Sequence, residues 1–182
     1  MCCVNSSDLP KIAVIISTTG RRSLIDRAVP SVICQSRPPN ILYIVADSKE
    51  DLPTRNVSDF KGVNFPVKCL INIREKNLSG AMNTAFSQVL VDGFDPSKTF
   101  IAILDDDDWW EPDYLNSCYT SAVQNDSDWV VTGIIRHECD SDAGNYLTIP
   151  EAISEKSFLV GNPHIQGSNL FKKKRVQRSC KC

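Results

Sequence analysis

The chain has 182 residues and 42% hydrophobic content, enough for one real core and too few for two comfortable domains. Its formal net charge of -2 carries no excess of either sign, which argues against a general nucleic-acid binder. The longest apolar runs, at residues 12–16 and 100–104, have the length of a strand and fall far below a membrane span.

Apolar runs and helical periodicity alternate along the chain. Residues 11–17 form a short, nearly continuous apolar run, typical of a strand buried on both faces. Apolar residues then recur at helical spacing over 24–33, where Pro30 should kink or restart the helix. The same patterns predict, in order, a strand at 41–45, a mostly irregular stretch to 66 with one short helix, a strand at 67–73, a helix at 78–90, a strand at 99–104, a helix at 112–124 and a strand at 128–135.

The pattern loosens after Gly133. Residues 146–149 predict an edge strand, and residues 161–171 mix turn residues with a short strand. From Lys172 the chain becomes basic and poor in apolar residues. We therefore expect an N-terminal extension at 1–10, one domain at 11–171 and a basic tail at 172–182.

Eight cysteines are present, with no Cys-x-x-Cys pair among them, so the spacing does not favour zinc. Cys34, Cys69 and Cys118 fall inside apolar patterns, where a free cysteine behaves as a small hydrophobe. The N-terminus lacks the charged start and apolar stretch of a secretory signal. These features predict a reduced, cytoplasmic chain without a transmembrane segment.

Strands that alternate with helices predict right-handed β-α-β units, a mostly parallel sheet, and ligands at the carboxyl ends of the strands. Four polar segments follow predicted strands directly. They are residues 18–21, Asp47, residues 74–77 and the acidic run at 105–108. We expect these segments to converge on one edge of the sheet.

The acidic run is four adjacent aspartates, residues 105–108. Adjacent carboxylates repel one another, so a fold that gathers them at a strand end predicts a cation there. If the segment stays extended, Asp105 and Asp107 point to one side while Asp106 and Asp108 point to the other. Paired carboxylates suit Mg²⁺ or Mn²⁺. The alternative is a solvated acidic turn that caps the helix beginning near Pro112.

Several motifs in order resemble the family 2 glycosyltransferases, inverting nucleotide-sugar transferases with the GT-A fold. The resemblance covers residues 11–171 and rests on the motifs at 14–21, 31–36, 44–48, 77–85, 103–112 and 167–171. It implies an α/β architecture in which helices flank a mostly parallel central sheet. It also favours the metal-site interpretation of the acidic run.

The resemblance implies a role for each matching position. Thr18 and Arg21 would lie near the nucleotide, and Asp47 would accept a hydrogen bond from the base or ribose, which suits the imide N–H of uracil. The alternative for Asp47 is a turn cap. Positions implied to contact or support the nucleotide-sugar are Thr18, Arg21, Asp47, Arg74 (or Lys76), Asn77, Gly80, Asn83, Asp105 and Asp106. Asp107 is implied as the direct metal ligand, with Asp105 as a second contact.

In the family reaction a carboxylate deprotonates the acceptor hydroxyl as it attacks the anomeric carbon, and configuration inverts. That base usually follows the strand matched at 167–171, but no acidic residue follows Glu155 here. The catalytic residue is therefore unassigned, and the chain is predicted to be a shortened, weak or inactive transferase. Such shortening would expose apolar surface and favour self-association or a partner.

A UDP-sugar is the favoured donor, and the acceptor is unassigned. The alternative function is a non-catalytic module that binds nucleotide and metal through the donor site alone. A nucleotidyltransferase of similar topology is disfavoured, because no glycine-rich phosphate loop with its lysine follows the first strand.

Overall fold

The computed structural model describes residues 9–54, 56–137, 144–147 and 169–172. Its strands are β1 (Lys11–Thr18), β2 (Ile41–Ala46), β3 (Val67–Ile71), β4 (Thr99–Asp105), β5 (Trp129–Val131), β6 (Ile134–His137), β7 (Gly144–Leu147) and β8 (Asn169–Lys172). Its helices are a π-helical turn (Leu24–Ala28), α1 (Val29–Ile33), a 3₁₀ turn (Val57–Asp59), α2 (Leu78–Val91) and α3 (Tyr114–Gln124).

Six strands form the central sheet in the order β3-β2-β1-β4-β8-β5. The first four are parallel, and β8 runs antiparallel to both β4 and β5. A separate antiparallel pair joins β6 to β7. The mostly parallel α/β architecture predicted from the sequence is confirmed, with helices packed on the sheet.

The core lies on both faces of the sheet because the central strands are buried throughout. Ile12, Val14 and Ile16 of β1 pack in one cluster with residues of α1 and α3. Ala13 and Ile15 point to the opposite face and pack in a second cluster with α2. This alternation explains why β1 reads as a continuous apolar run rather than as an alternating one.

The helix predicted over 24–33 is present, and its hydrogen bonding changes next to Pro30. The π-helical turn ends at Ala28, and Pro30 lies in the first turn of α1. The predicted short helix before residue 66 is the 3₁₀ turn at Val57–Asp59.

The strand predicted at 128–135 is wrong as one element. Trp129–Val131 pairs with β8 in the central sheet, whereas Ile134–His137 pairs with β7. The chain therefore leaves one sheet for another between these segments, and a single straight strand could not make both ladders. The third strand also ends early, at Ile71 rather than residue 73.

The cysteine prediction is corrected in part. Cys34, Cys69 and Cys118 are free, as expected, but only Cys118 is buried, whereas Cys34 and Cys69 are exposed. Cys34 comes directly after the last residue of α1, and Cys69 lies on β3, which pairs with β2 alone in the described part of the sheet. Position at an element's end or edge thus outweighs the apolar pattern around them.

Across the described residues, no helix combines the length and apolarity that a bilayer crossing requires. Among the exposed large apolar side chains, Ile73 is 79% and Val91 is 77% exposed. The predicted association through such surface remains a prediction. The N-terminal extension to residue 8, residues 148–168 with Glu155, and the tail beyond Lys172 lie outside the described residues.

Candidate functional site

A cavity of about 350 Å³ opens where β1, β2 and β4 end and α2 begins. Its lining is drawn from the four predicted polar segments and the residues beside them. The lining residues are Ser17, Thr18, Thr19, Arg21, Asp47, Asn77, Leu78, Ala81, Asp105, Asp106 and Asp107. The predicted convergence on one edge of the sheet is confirmed.

Strand register explains why these residues meet. In the parallel ladders Ser17 is level with Asp105, and Thr18 is level with Ala46. The residues that follow the three strands therefore emerge at the same height. Parallel strands present their carboxyl ends together, so a polar segment after each one produces a polar cavity.

Asp106 anchors the loop after β1 to the loop after β4. Its carboxylate accepts hydrogen bonds from the Thr18 hydroxyl at 2.7 Å and from the Thr19 backbone N–H at 3.3 Å. Asp106 is only 5% exposed and therefore has little contact with water; these donors supply the hydrogen bonds that water would otherwise make to its carboxylate. Its position is thus fixed by the protein before any ligand binds.

Arg21 joins two aspartates of the acidic run. Its Nη1 donates to Asp106 Oδ1 at 3.1 Å and also to Asp107 Oδ2. The predicted alternation of side chains along residues 105–108 is therefore wrong: Asp106 and Asp107 reach the same guanidinium. The reason is local, because the Asp108 N–H donates to the Asp105 carbonyl at 3.3 Å and the chain turns at the end of β4.

The metal interpretation of the acidic run is not tested by these contacts. In the described part of the chain, no group of three or more His, Cys, Asp or Glu side chains is arranged to hold a metal ion. Asp105 and Asp107 nevertheless line the same cavity, and their oxygens are of the type that Mg²⁺ and Mn²⁺ prefer. The pair thus suits a divalent cation chemically, and the assignment stays a prediction.

Asp108 has a different environment from its neighbours. Burial, followed by the negative charge of Asp107, raises the pKa of the Asp108 carboxyl above its ordinary value. Asp108 is not among the residues that line the cavity. The acidic run is therefore divided between Asp105–Asp107 at the cavity and Asp108 in the following turn.

Asp47 lies across the cavity and is held by an asparagine that the sequence did not single out. Asn72 Nδ2 donates to Asp47 Oδ1 at 2.7 Å and to the Glu75 carbonyl at 2.8 Å. Its Oδ1 accepts from the Arg74 N–H at 2.9 Å and from the Thr84 hydroxyl at 3.1 Å. Asn72 is 7% exposed, and all four of its hydrogen-bonding positions are filled.

The first turn of α2 completes the lining of the cavity, beside the segments that follow β1, β2 and β4. Asn77 caps this helix, since its side chain accepts from the Gly80 N–H at 2.8 Å. Gly80 is buried beneath the cavity: a Cβ there would lie 2.0 Å from the Glu75 carbonyl oxygen. Gly80 thus allows the preceding loop to pack on the helix and does not itself line the cavity.

Besides Gly80, the predicted positions Asn83 and Arg74 also fall outside the lining. Asn83 is exposed one turn further along α2. Arg74 Nη2 donates to Ser87 Oγ at 3.4 Å, toward the middle of that helix. Neither residue is among those that line the cavity. Their implied contacts with a nucleotide-sugar stay predictions.

Four residues of this region were not singled out from the sequence, whereas Thr19 lies within the predicted segment 18–21. Ser17, Leu78 and Ala81 line the cavity, and Asn72 supports it. Each of these three lining residues is adjacent to a predicted position, and that adjacency was the available signal. Asn72 had none, because it fell inside the strand predicted at 67–73 and its side-chain partners, Asp47 and Thr84, are distant in the sequence.

Comparisons with known proteins agree with this architecture. The model of the Glycosyl transferase family 2 family matches residues 13–178. The chain is 24% identical over 165 residues to Glycosyltransferase GlyA of Streptococcus pneumoniae, covering 90% of this chain and 20% of GlyA.

Among solved structures, residues 1–349 of S. aureus TarS share 16% sequence identity and superpose with a TM-score of 0.60, over 89% of this chain and 47% of theirs. The same protein in complex with UDP gives 20% identity and a TM-score of 0.51, over 68% of this chain and 35% of that one. At these identities the likeness shows the fold, which is the GT-A fold of the central sheet and its helices. The chain spans about a fifth of GlyA and about half of the TarS fragment.

Proposed function

The chain belongs to glycosyl transferase family 2, and from that premise we propose that it forms the donor-binding region of an inverting glycosyltransferase that uses a UDP-sugar. The observation that carries the proposal is the cavity itself. The Asp47 carboxylate, a hydrogen-bond acceptor, lies on one side, the acidic residues 105–107 lie on another, and the start of α2 lies between them. This arrangement suits a ligand with a hydrogen-bond donor at one end and a diphosphate at the other.

The polar groups divide between the two ends of such a ligand. Asp47 accepts a hydrogen bond from the uracil imide, because a carboxylate can only accept. The diphosphate lies toward Arg21 and the first turn of α2, whose dipole favours negative charge. Asp106, bonded to Thr18 and Thr19, keeps the loops of β1 and β4 together around it.

Mg²⁺ or Mn²⁺ is part of the proposal. Asp107 and Asp105 would hold the ion, and the ion when bound would neutralise the diphosphate leaving group. Arg21, which pairs with Asp107 in this structure, has the charge to interact with the same phosphates. Configuration at the anomeric carbon would invert, because the acceptor oxygen displaces UDP from the opposite face in one step while its proton passes to a base that is still unassigned.

Calorimetric titration with UDP tests the donor site. The titration is made with Mn²⁺ and again with chelator, on the natural chain and on Asp107→Ala. We expect binding that requires the metal and falls about 100-fold, roughly 2.7 kcal/mol, in the variant. Asp26→Ala is the matched control, because Asp26 pairs with Arg22 on the helix surface and should leave binding unchanged.

Transfer is measured separately from binding. Release of UDP from a UDP-sugar, with a new glycoside in the product, supports the transferase. Metal-dependent binding of UDP without any turnover supports the non-catalytic module instead. No binding under any condition, by a protein whose circular dichroism shows it to be folded, would refute the donor site.

A further inference from the structure

The Asn72 side chain can adopt only one orientation. The Arg74 backbone N–H is a donor only, and it lies 2.9 Å from Asn72 Oδ1. The Glu75 carbonyl is an acceptor only, and it lies 2.8 Å from Nδ2. A flipped amide would place its NH₂ group against the Arg74 N–H, donor against donor, and its oxygen against the Glu75 carbonyl, acceptor against acceptor.

Thr84 strengthens this orientation. Its hydroxyl oxygen accepts from the Ile73 N–H at 3.4 Å, so the hydroxyl proton is available to Asn72 Oδ1, 3.1 Å away. Thr84 and Asn72 are both buried, and water cannot readily replace either contact. The NH₂ group of Asn72 is therefore fixed toward Asp47.

One oxygen of the Asp47 carboxylate is consequently occupied by Asn72. Its Oδ1 accepts the Asn72 amide at 2.7 Å, while the side chain lines the cavity. A group that receives a fixed N–H donor must present an oxygen there. The remainder of the Asp47 side chain, Oδ2, is what the protein offers to a ligand.

We propose that Asn72 is a positioning residue for nucleotide specificity: by holding Asp47 Oδ1, it aims the other carboxylate oxygen, Oδ2, at the ring position where uracil and cytosine differ. This inference rests on the proposed function. Uracil offers an N–H at ring position 3, whereas cytosine has a bare acceptor nitrogen there, which would face the carboxylate. Two acceptors that face each other, the carboxylate oxygen and the cytosine ring nitrogen, make no hydrogen bond and repel, which weakens cytosine relative to uracil.

Asp47→Asn gives a sharp test, because Asn72 dictates how the new amide lies. Asn72 Nδ2 can donate only to the amide oxygen at position 47, so the new NH₂ group must face the cavity. We expect UDP to bind about tenfold more weakly and CDP about tenfold more tightly than to the natural chain, measured by calorimetry with Mn²⁺. The nucleotide preference thus reverses.

The reversal should depend on Asn72. In the double variant Asp47→Asn with Asn72→Leu, no fixed donor orients the amide, and we expect UDP and CDP affinities within about threefold of each other. Thr84→Val on the Asp47→Asn background is the matched control. It removes one neighbour of Asn72 but keeps the bonds to Arg74 and Glu75, so the reversed preference should remain.

Three results would overturn the inference. Asp47→Asn could weaken both nucleotides alike, or the reversal could survive in the double variant, and either would reduce Asn72 to a structural residue. The natural chain could also bind UDP and CDP equally, with Asn72→Leu leaving that ratio unchanged. If the natural chain binds UDP and only these ratios fail, the proposed donor site stands. If the folded chain binds neither nucleotide, the donor site and the selection by Asn72 are both refuted.

Discussion

The two ends of α2 carry polar networks of opposite character. At the N-terminal end, Asn77 caps the helix and lines an open cavity. At the C-terminal end, the Asp92 carboxylate accepts from the Tyr43 hydroxyl at 2.7 Å, Lys68 Nζ at 2.6 Å and Gln88 Nε2 at 2.9 Å. One end offers hydrogen-bonding groups to a ligand, and the other uses them within the protein.

The difference shows how similar residues serve binding at one place and folding at another. Burial alone would raise the pKa of Asp92, but the hydrogen bonds from Lys68, Tyr43 and Gln88, with the charge of Lys68, lower it below its ordinary value. One carboxylate there meets one ammonium. At the cavity, one guanidinium, that of Arg21, pairs with both Asp106 and Asp107 among the described residues, and the proposed cation would offset this excess of negative charge.

Gly80→Ala should give the largest effect, at the N-terminal end of α2. Helix propensity alone favours alanine by about 1 kcal/mol. The new Cβ, however, would lie 2.0 Å from the Glu75 carbonyl oxygen, a backbone atom that must move. We expect a net loss of roughly 3 kcal/mol in the free energy of unfolding, measured by urea denaturation.

Gly93→Ala is the control at the other end of the same helix. Gly93 has φ of +78° and no heavy atom within 4 Å of an added Cβ. Only the left-handed backbone opposes the substitution, at a cost of about 1 kcal/mol. Equal losses at the two glycines, or a gain at Gly80, would contradict the steric account of the loop packed on α2.

Asp92→Asn should destabilise the C-terminal end by roughly 1–3 kcal/mol at neutral pH. Lys68 and Gln88 donate to one carboxylate oxygen and Tyr43 to the other. If the new amide keeps its oxygen toward Lys68 and Gln88, its nitrogen can donate to the Tyr43 oxygen, but the Tyr43 hydroxyl proton loses its acceptor and Lys68 loses its counter-charge. Tyr43 is fully buried, which leaves its hydroxyl no water to bond instead. The free energy of unfolding from urea denaturation measures the loss.

The pH dependence of this loss has a definite sign. Because the folded pKa of Asp92 is lowered, its stabilising contribution is present above the ordinary aspartate pKa of about 3.9 and is lost as pH falls through the folded value. The gap between the natural chain and Asp92→Asn should therefore narrow from pH 7 to pH 3. A gap that is constant with pH would show that the charge of Asp92 contributes nothing.

The sequence predicted the parts of this molecule that depend on local pattern. The central strands are continuous apolar runs because both of their faces are covered, and parallel topology then brings Thr18, Asp47 and Asp105 to one edge. The parts that it missed depend on contacts between distant segments. Asn72 donates a hydrogen bond to Asp47, 25 positions away in the sequence. The acidic run turns where the Asp108 N–H bonds to the Asp105 carbonyl, and Arg21 pairs with both Asp106 and Asp107.

Arg21→Gln, at the cavity beside the N-terminal end of α2, should give the smallest change in stability but a clear change in ligand binding. Its side chain is 54% exposed, and Asp106 keeps its bonds from Thr18 and Thr19, so the free energy of unfolding should change by less than about 1 kcal/mol. UDP affinity should fall about tenfold at low salt, because a phosphate-facing charge is lost, and should depend less on salt than in the natural chain.

Arg22→Gln is the matched control for Arg21→Gln, since Arg22 is 92% exposed and pairs with Asp26 one helical turn away. It removes the same charge at the neighbouring position, so its UDP affinity and salt dependence should match those of the natural chain. If both variants weaken UDP equally, the effect comes from net charge alone and Arg21 has no place at the phosphates. If only Arg21→Gln weakens UDP, the Arg21 guanidinium acts on the ligand as well as on Asp106 and Asp107. Lys68, by contrast, pairs with Asp92 at the C-terminal end of α2 and does not line the cavity.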